Sequence, residues 1–258
     1  MTVSEAKGAE IRRTVWVVLP AFNEAEDLPG LLVRIRMALT EVGLPYRVLV
    51  VDDGSTDGTG DIVRSFGESM PVMLETHEVN QGLGATIRDG LLKACELADP
   101  RDVLVTLDAD NSHTPELILR MVRQVREGSD VVIASRYRPG SRVRGVPLHR
   151  RLLSRIGTLV FRVLFPIRGV RDYTCGYRAY RAGVLQEVIE RDGASFFEEE
   201  GFQVMVDILL KLRRNRDLIF GEVPLILRYD LKAGVSKMNV GRTIRRTLSL
   251  LARRRLGR

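Results

Sequence analysis

Cysteine, histidine and tryptophan are scarce in this chain: two, three and one among 258 residues. Cys95 and Cys175 are too few for a disulfide framework or a cysteine-built zinc site, and three histidines argue against a histidine-rich metal centre. Long apolar runs are missing too. A membrane span needs ~18–20 apolar residues, and the longest candidate beyond the N-terminus is broken by Arg155 and Arg162. The run at residues 15–19 is too short for a signal peptide and follows Glu5, Glu10, Arg12 and Arg13. Apolar residues at 45% and charged residues at 28% exclude wholesale disorder. The expectation is a soluble, cytoplasmic chain, long enough for one large α/β domain or two small ones.

The charge is unevenly spread. The net value is +7, yet residues 136–181 hold twelve arginines against one acid, Asp172, and residues 242–258 hold seven arginines and no acid. Local charges of +11 and +7 leave a net −11 on the remainder. An acidic body with two arginine-rich segments points to an anionic partner, because the planar guanidinium fork suits phosphate.

The first half alternates between two periodicities. Residues 14–19, 47–51, 72–75, 103–107 and 131–135 are short β-branched runs, several apolar at nearly every position, as strands covered on both faces are. Leu28, Leu31, Leu32, Ile35 and Leu39 follow one helical face. Leu117, Ile118, Met121, Val122 and Val125 form another, opened by Thr114 and Pro115. This alternation predicts an α/β fold, a mostly parallel sheet wrapped by helices. Residues 136–147 read as a loop, 148–165 as an arginine-edged amphipathic helix and 201–212 as a further helix. Residues 219–227 read as extended, and 242–255 as a basic amphipathic helix suited either to a membrane surface or to its own domain.

Ligands of an open parallel sheet bind beyond the carboxyl ends of its strands. There the sequence places Pro20-Ala21-Phe22-Asn23-Glu24, Asp52-Asp53-Gly54-Ser55, Asn80-Gln81-Gly82-Leu83-Gly84, Asp108-Ala109-Asp110 and Ser135-Arg136-Tyr137. Carboxylates hold a hard cation and a guanidinium neutralises phosphate, so the combination suits a metal–diphosphate ligand. Gly82 and Gly84 lack the third glycine of a dinucleotide fingerprint and follow the third strand, which excludes that reading. A nucleic-acid partner is not expected, since the Asp108 and Asp110 carboxylates would repel phosphate in the absence of a metal.

These residues resemble family-2 glycosyltransferases of the GT-A type, and more narrowly the dolichol- and polyprenyl-phosphate mannosyltransferases. The matching blocks are LPAFNE at 19–24, VDDGSTDGT at 51–59, NQGLGATIRDG at 80–90, DADNSHTPE at 108–116 and ASRYRPG at 134–140. HRRLLS at 149–154, RDYTCGYRAY at 171–180, GEVPL at 221–225 and GVSKM at 234–238 complete the series. The resemblance implies a Rossmann-like single domain over 12–240, with a nucleotide-sugar half at 12–135, an acceptor half at 136–240 and a basic tail of amphipathic helix at 241–258.

It further implies roles for individual residues. Pro20, Phe22, Glu24, Val51 and Asp53 match positions that cradle the nucleotide. Asp108, Ala109 and Asp110 match the D-x-D motif, with Asp108 and Asp110 as ligands of Mg2+ or Mn2+. Arg136 and Lys237 match residues on the donor diphosphate, and Arg150, Arg151 and Ser154 match the site of the acceptor's phosphate. Asp110 and Arg136 then carry catalysis. The implied reaction is inverting transfer of a hexose, mannose from GDP-mannose, to polyprenyl phosphate; the alternatives are another donor such as UDP-glucose, a soluble glycan acceptor, or a non-catalytic nucleotide-sugar-binding protein. The arginine-rich amphipathic segments add the expectation of peripheral contact with the cytoplasmic face of an anionic membrane. Three departures stand out: Ser112 replaces a glutamine, Asp207 replaces a glutamate, and an arginine expected shortly before Gly234 is displaced, with Arg228 and Lys232 as candidates.

Overall fold

The computed structural model describes residues 13–231 together with 245–246, 249–251 and 253–254. Five strands lie where the β-branched runs place them: β1 (Val15–Ala21), β2 (Tyr46–Asp52), β3 (Val72–Thr76), β4 (Val103–Thr106) and β5 (Val131–Ser135). All seven residues of β1 are buried, as the central position of a sheet covered on both faces requires. Helices α1 (Leu28–Glu41), α2 (Thr59–Phe66), α3 (Leu83–Leu97) and α4 (Leu117–Arg126) connect them. Leu28, Leu31, Leu32, Ile35 and Leu39 of α1 are buried, as are all five residues of the α4 stripe. Gly90 lets α3 lie close against the sheet, since a Cβ there would stand 2.6 Å from a Val18 methyl.

Beyond β5 follow β6 (Arg142–Arg144), α5 (Leu148–Leu164), β7 (Arg178–Arg181), α6 (Ala182–Asp192), α7 (Val204–Leu212), β8 (Phe220–Pro224) and β9 (Ile226–Arg228). The seven-stranded sheet runs β3-β2-β1-β4-β7-β5-β8, and β6 pairs with β9 in a two-stranded ribbon. Every pairing in the large sheet is parallel except those of β7, which inserts antiparallel between β4 and β5. The β-branched pattern gave no sign of β7, because its sequence is Arg-Ala-Tyr-Arg. Residues 219–227, read as a single extended segment, divide at Leu225 into β8 and β9.

The arginine-rich stretch is only partly surface. Arg178 of β7 is fully buried and donates to the carbonyls of Tyr173, Cys175 and Met205. Arg181 pairs with Asp130 at 2.7 Å. The described turns after residue 244 are helical, and they pack on the domain through buried Leu250 and Leu251. Among the described residues no helix is long and apolar enough to cross a membrane.

Candidate active site

The carboxyl edge of the sheet is built by side chains that bond to the backbone of neighbouring loops. Leaving β1, Asn23 adopts a left-handed conformation with φ 51°. Its backbone N–H donates to Ser55 Oγ at 2.8 Å, and its side-chain Oδ1 accepts the Thr56 N–H at 2.9 Å. The N–H groups of Glu24 and Ala25 donate to Thr59 Oγ1 and Asp57 Oδ2. The β1 and β2 exit loops are thereby one unit, with Phe22 and Glu24 half-buried between them. Pro20 lies in β1 beside Val51, which is fully buried and packs its side chain into the core against α3.

Asp53 is buried, and both carboxylate oxygens are engaged by protein. Oδ1 accepts the Gln81 N–H and Oδ2 the Gly82 N–H, each at 2.8 Å, while His77 Nδ1 lies 2.7 Å from Oδ1. Asp53 therefore shapes the turn that leads into α3. At the next turn Gly84 is obligatory: a Cβ there would sit 2.0 Å from the Glu199 carbonyl oxygen, and its N–H donates to the Glu200 carbonyl.

The D-x-D motif follows β4. Asp110 Oδ1 accepts both the N–H of Ser112, at 3.1 Å, and its hydroxyl, at 2.6 Å. Ser112 thus fixes one oxygen of Asp110. Asn111 between them has φ 54°, a left-handed position asparagine tolerates. The Asp108 N–H donates to His113 Nδ1 at 3.3 Å, and His113 is buried against the Tyr177 ring. That acceptor role puts the ring proton of the neutral imidazole on Nε2 and makes His113 a brace for the motif. Strand β9 braces it from outside, with the Arg228 N–H donating to the Ser112 carbonyl and Thr114 Oγ1 to the Ile226 carbonyl. The Arg228 side chain pairs with Asp230. A narrow cleft beside Asp108 is lined by Leu83, Ile87, Gly176, Phe202 and Met205.

Arg136, at the end of β5, makes a bidentate pair with fully buried Asp172, Nε to Oδ2 at 2.8 Å and Nη2 to Oδ1 at 2.7 Å. Burial alone would raise the Asp172 pKa, but the guanidinium overrides it and holds the carboxyl below its ordinary range. Glu222 of β8 supports the pair, its Oε1 accepting the N–H groups of Arg171 and Asp172. Burial pushes the Glu222 carboxyl above its ordinary value, and Oε2 has no hydrogen-bond partner among the described residues. Residues 172–176 then run from Arg136 to the D-x-D motif. Thr174 Oγ1 accepts from Arg136 Nη2, Gly176 faces Asp108 Oδ1, and Thr106 Oγ1 donates to the Gly176 carbonyl. Sequence reasoning gave Asp172, Thr174 and Gly176 no role of their own. The signal was present, since Asp172 is the one acid among twelve arginines.

The structure also joins this edge to α5. Tyr137 packs under Arg136 and its hydroxyl lies 2.9 Å from Ser154 Oγ. Arg151 is half-buried on the same helix, Arg155 and Arg162 are exposed, and none of the three pairs with a described carboxylate. Phe161 and Thr158 face inward, while Leu148, Leu152, Ile156, Leu159 and Val163 form a stripe exposed to between 52% and 78%. Arg150 lies on this helix, but its side chain, like Lys232, Lys237 and most of the tail, falls outside the described residues. Asp207 does not reach the cleft: it is buried in ion pairs with Lys211 and Arg254.

A mostly parallel sheet with one antiparallel insertion, carrying paired aspartates and an arginine on its carboxyl edge, defines a GT-A glycosyltransferase. The family model described as glycosyl transferase family 2 matches residues 16–189, and the chain belongs to that family. It is 36% identical over 240 residues to polyprenol monophosphomannose synthase of Mycolicibacterium smegmatis, covering 92% of this chain and 84% of that one. It is 37% identical over 228 residues to undecaprenyl-phosphate mannosyltransferase of Micrococcus luteus, covering 88% of each. Among solved structures, glucosyl-3-phosphoglycerate synthase of Mycobacterium tuberculosis, in complex with Mn2+, UDP and phosphoglyceric acid, superimposes with a TM-score of 0.68. The identity there is 22%, over 95% of this chain and 79% of that one.

Proposed function

We propose that the protein transfers a hexose, mannose from GDP-mannose as the best-supported donor, to polyprenyl monophosphate with inversion at the anomeric carbon. The observation that carries this reading is α5: its apolar stripe faces outward, it bears Arg151, Arg155 and Arg162, and Ser154 ties it to Tyr137 beside Arg136. An acceptor that is lipid at one end and phosphate at the other matches such a helix. The names of the two mannosyltransferase relatives support the same acceptor and sugar.

A lipid monophosphate is substantially ionised at neutral pH, with its second pKa near ~6. Its oxygen is already a nucleophile, and no strong protein base is required. Arg151 and Ser154, with Arg150, would hold that phosphate, and Arg136, kept in position by Asp172, would stabilise the departing nucleoside diphosphate. Asp108 and Asp110 supply hard oxygen ligands. Among the described residues no third carboxylate, histidine or cysteine joins them, which suits a cation that takes its other ligands from substrate phosphate and water. Bound there, Mg2+ or Mn2+ would neutralise diphosphate charge. The Ser112 hydroxyl on Asp110 Oδ1 would hold that carboxylate in one orientation for such an ion. Basic residues beside the exposed stripe support peripheral contact with an anionic, cytoplasmic membrane face.

The test is transfer from labelled GDP-mannose, UDP-glucose and other nucleotide sugars to polyprenyl phosphate with Mg2+ or Mn2+, run beside Asp110→Ala. Lipid-extractable label from one donor, lost in the variant, is the expected outcome. Label found only on a water-soluble acceptor would overturn the lipid assignment.

A further inference from the structure

His77, which follows β3, plays no part in the chemistry above, yet it lies between two carboxylates. Its side chain is 10% exposed. Nδ1 lies 2.7 Å from Asp53 Oδ1 and Nε2 lies 3.1 Å from Asp89 Oδ2 of α3. Carboxylates only accept, so both contacts are hydrogen bonds only when both ring nitrogens donate, which is the imidazolium. A neutral ring would set a lone pair against one of the two. The remaining charges around it are accounted for: Arg88 of α3 grips Asp89 through Nε at 2.7 Å and Nη2 at 2.9 Å, and Glu75 and Glu78 on the histidine's own segment are exposed. On its far side Asp53 accepts the N–H groups of Gln81 and Gly82, and Leu83, the next residue, lines the cleft beside Asp108. The chain Arg88–Asp89–His77–Asp53 thus ends on the turn that sets the start of α3.

We propose that His77 is a positioning residue for the nucleotide-sugar donor: as an imidazolium it clamps Asp53 and Asp89, fixes the turn at residues 80–82, and so ties donor affinity to pH. This rests on the donor-site reading of the same sheet edge. Deprotonation breaks one of two charge-assisted contacts and loosens the turn, so KM for the donor rises with pH while kcat, set at Asp108, Asp110 and Arg136, does not follow. Loss of one such contact corresponds to about a tenfold change in affinity.

The experiment compares wild type, His77→Ala and His77→Arg between about pH 5.5 and about pH 8.5, where an imidazole changes charge. It measures KM and kcat for GDP-mannose, GDP and UDP binding by calorimetry with Mg2+, and hydrogen-exchange protection of the Gln81 and Gly82 amides without nucleotide. In wild type KM rises with pH. His77→Ala is expected to raise it about tenfold at the acid end, with kcat kept, and to lower protection of the two amides. His77→Arg, charged at every pH and able to donate to both carboxylates, flattens the profile and keeps the protection. If His77→Ala does not fold, His77→Gln, neutral throughout, replaces it. Wild-type KM, profile and protection persisting in the neutral variant would overturn the role of His77 alone. Absence of nucleotide binding and turnover in wild type would overturn the donor-site reading, and the role of His77 in it.

Discussion

The two arginine-rich segments look alike in sequence and differ in what their guanidiniums meet. In the C-terminal segment three of the four described arginines meet carboxylates of the domain: Arg246 pairs with Glu200, Arg253 with Glu199, and Arg254 with Glu198 and Asp207, while Arg245 is exposed. In the segment at residues 136–181 the work is divided. Arg136, Arg178 and Arg181 are committed to Asp172, to backbone carbonyls and to Asp130, while Arg151, Arg155 and Arg162 of α5 stay without a described carboxylate beside an exposed apolar stripe. Arginine density alone therefore does not mark an anion site. The feature that separates the two segments is a group of arginines without a described carboxylate next to an exposed apolar stripe, which α5 has and on which the proposed acceptor site rests. Of the two expectations for the tail, a membrane surface or its own domain, the described turns support the second, with Arg246, Arg253 and Arg254 meeting Glu200, Glu199 and Glu198.

The strongest way to break this contrast is to remove a partner from a committed arginine. Asp172→Ala leaves the Arg136 guanidinium largely buried without its counter-charge, and a loss of about 3–5 kcal/mol in unfolding free energy is expected, read by urea denaturation. Transfer should fall with it, since Arg136 loses its orientation. Next comes the helix. Leu152→Asp with Ile156→Asp removes two exposed apolar side chains, each worth about 1.5–3 kcal/mol when buried in lipid, so binding to anionic polyprenyl-phosphate vesicles should drop by at least tenfold. Unfolding should hardly change, because both residues already face outward. Equal vesicle binding by wild type and the double variant would dismiss α5 as the contact.

A smaller effect sharpens the comparison from the other side. Arg254→Ala should cost about 1–3 kcal/mol of stability, as Asp207 keeps Lys211 but loses its second partner, and should leave vesicle binding unaltered. Vesicle binding that collapsed in this variant would return the tail to the membrane. The smallest effect lies in pH. The Asp172 carboxyl is held below its ordinary value, so its contribution is present above about pH 4 and is lost as pH falls through its folded value. Glu222 is shifted upward, so its contribution is present below its unfolded value and lost as pH rises through the folded one. Glu222→Gln should remove that second loss, visible as a flatter thermal-stability profile on the alkaline side of about pH 4.3.

Much of the first half of the chain was legible because its information is local. β-branched runs gave β1 to β5 within one or two residues, amphipathic patterns gave α1, α4 and α5, and the strand-exit rule put Asp53, Asp108, Asp110 and Arg136 on one edge. β7 was not legible, since a four-residue strand carrying two arginines has neither alternation nor β-branching. Nor was Asp172, whose role depends on a partner 36 residues away.

Strands β1 to β5, the helix faces and the residues that crowd the carboxyl edge could be read along the chain, since each follows from the spacing of side chains on one stretch of backbone. Which charges remain available depends on the packed fold. The partners of Arg136, Arg178, Arg254, Asp53 and Asp207 are brought to them by sheet order and helix packing, and an ion pair between distant segments has no trace in local periodicity.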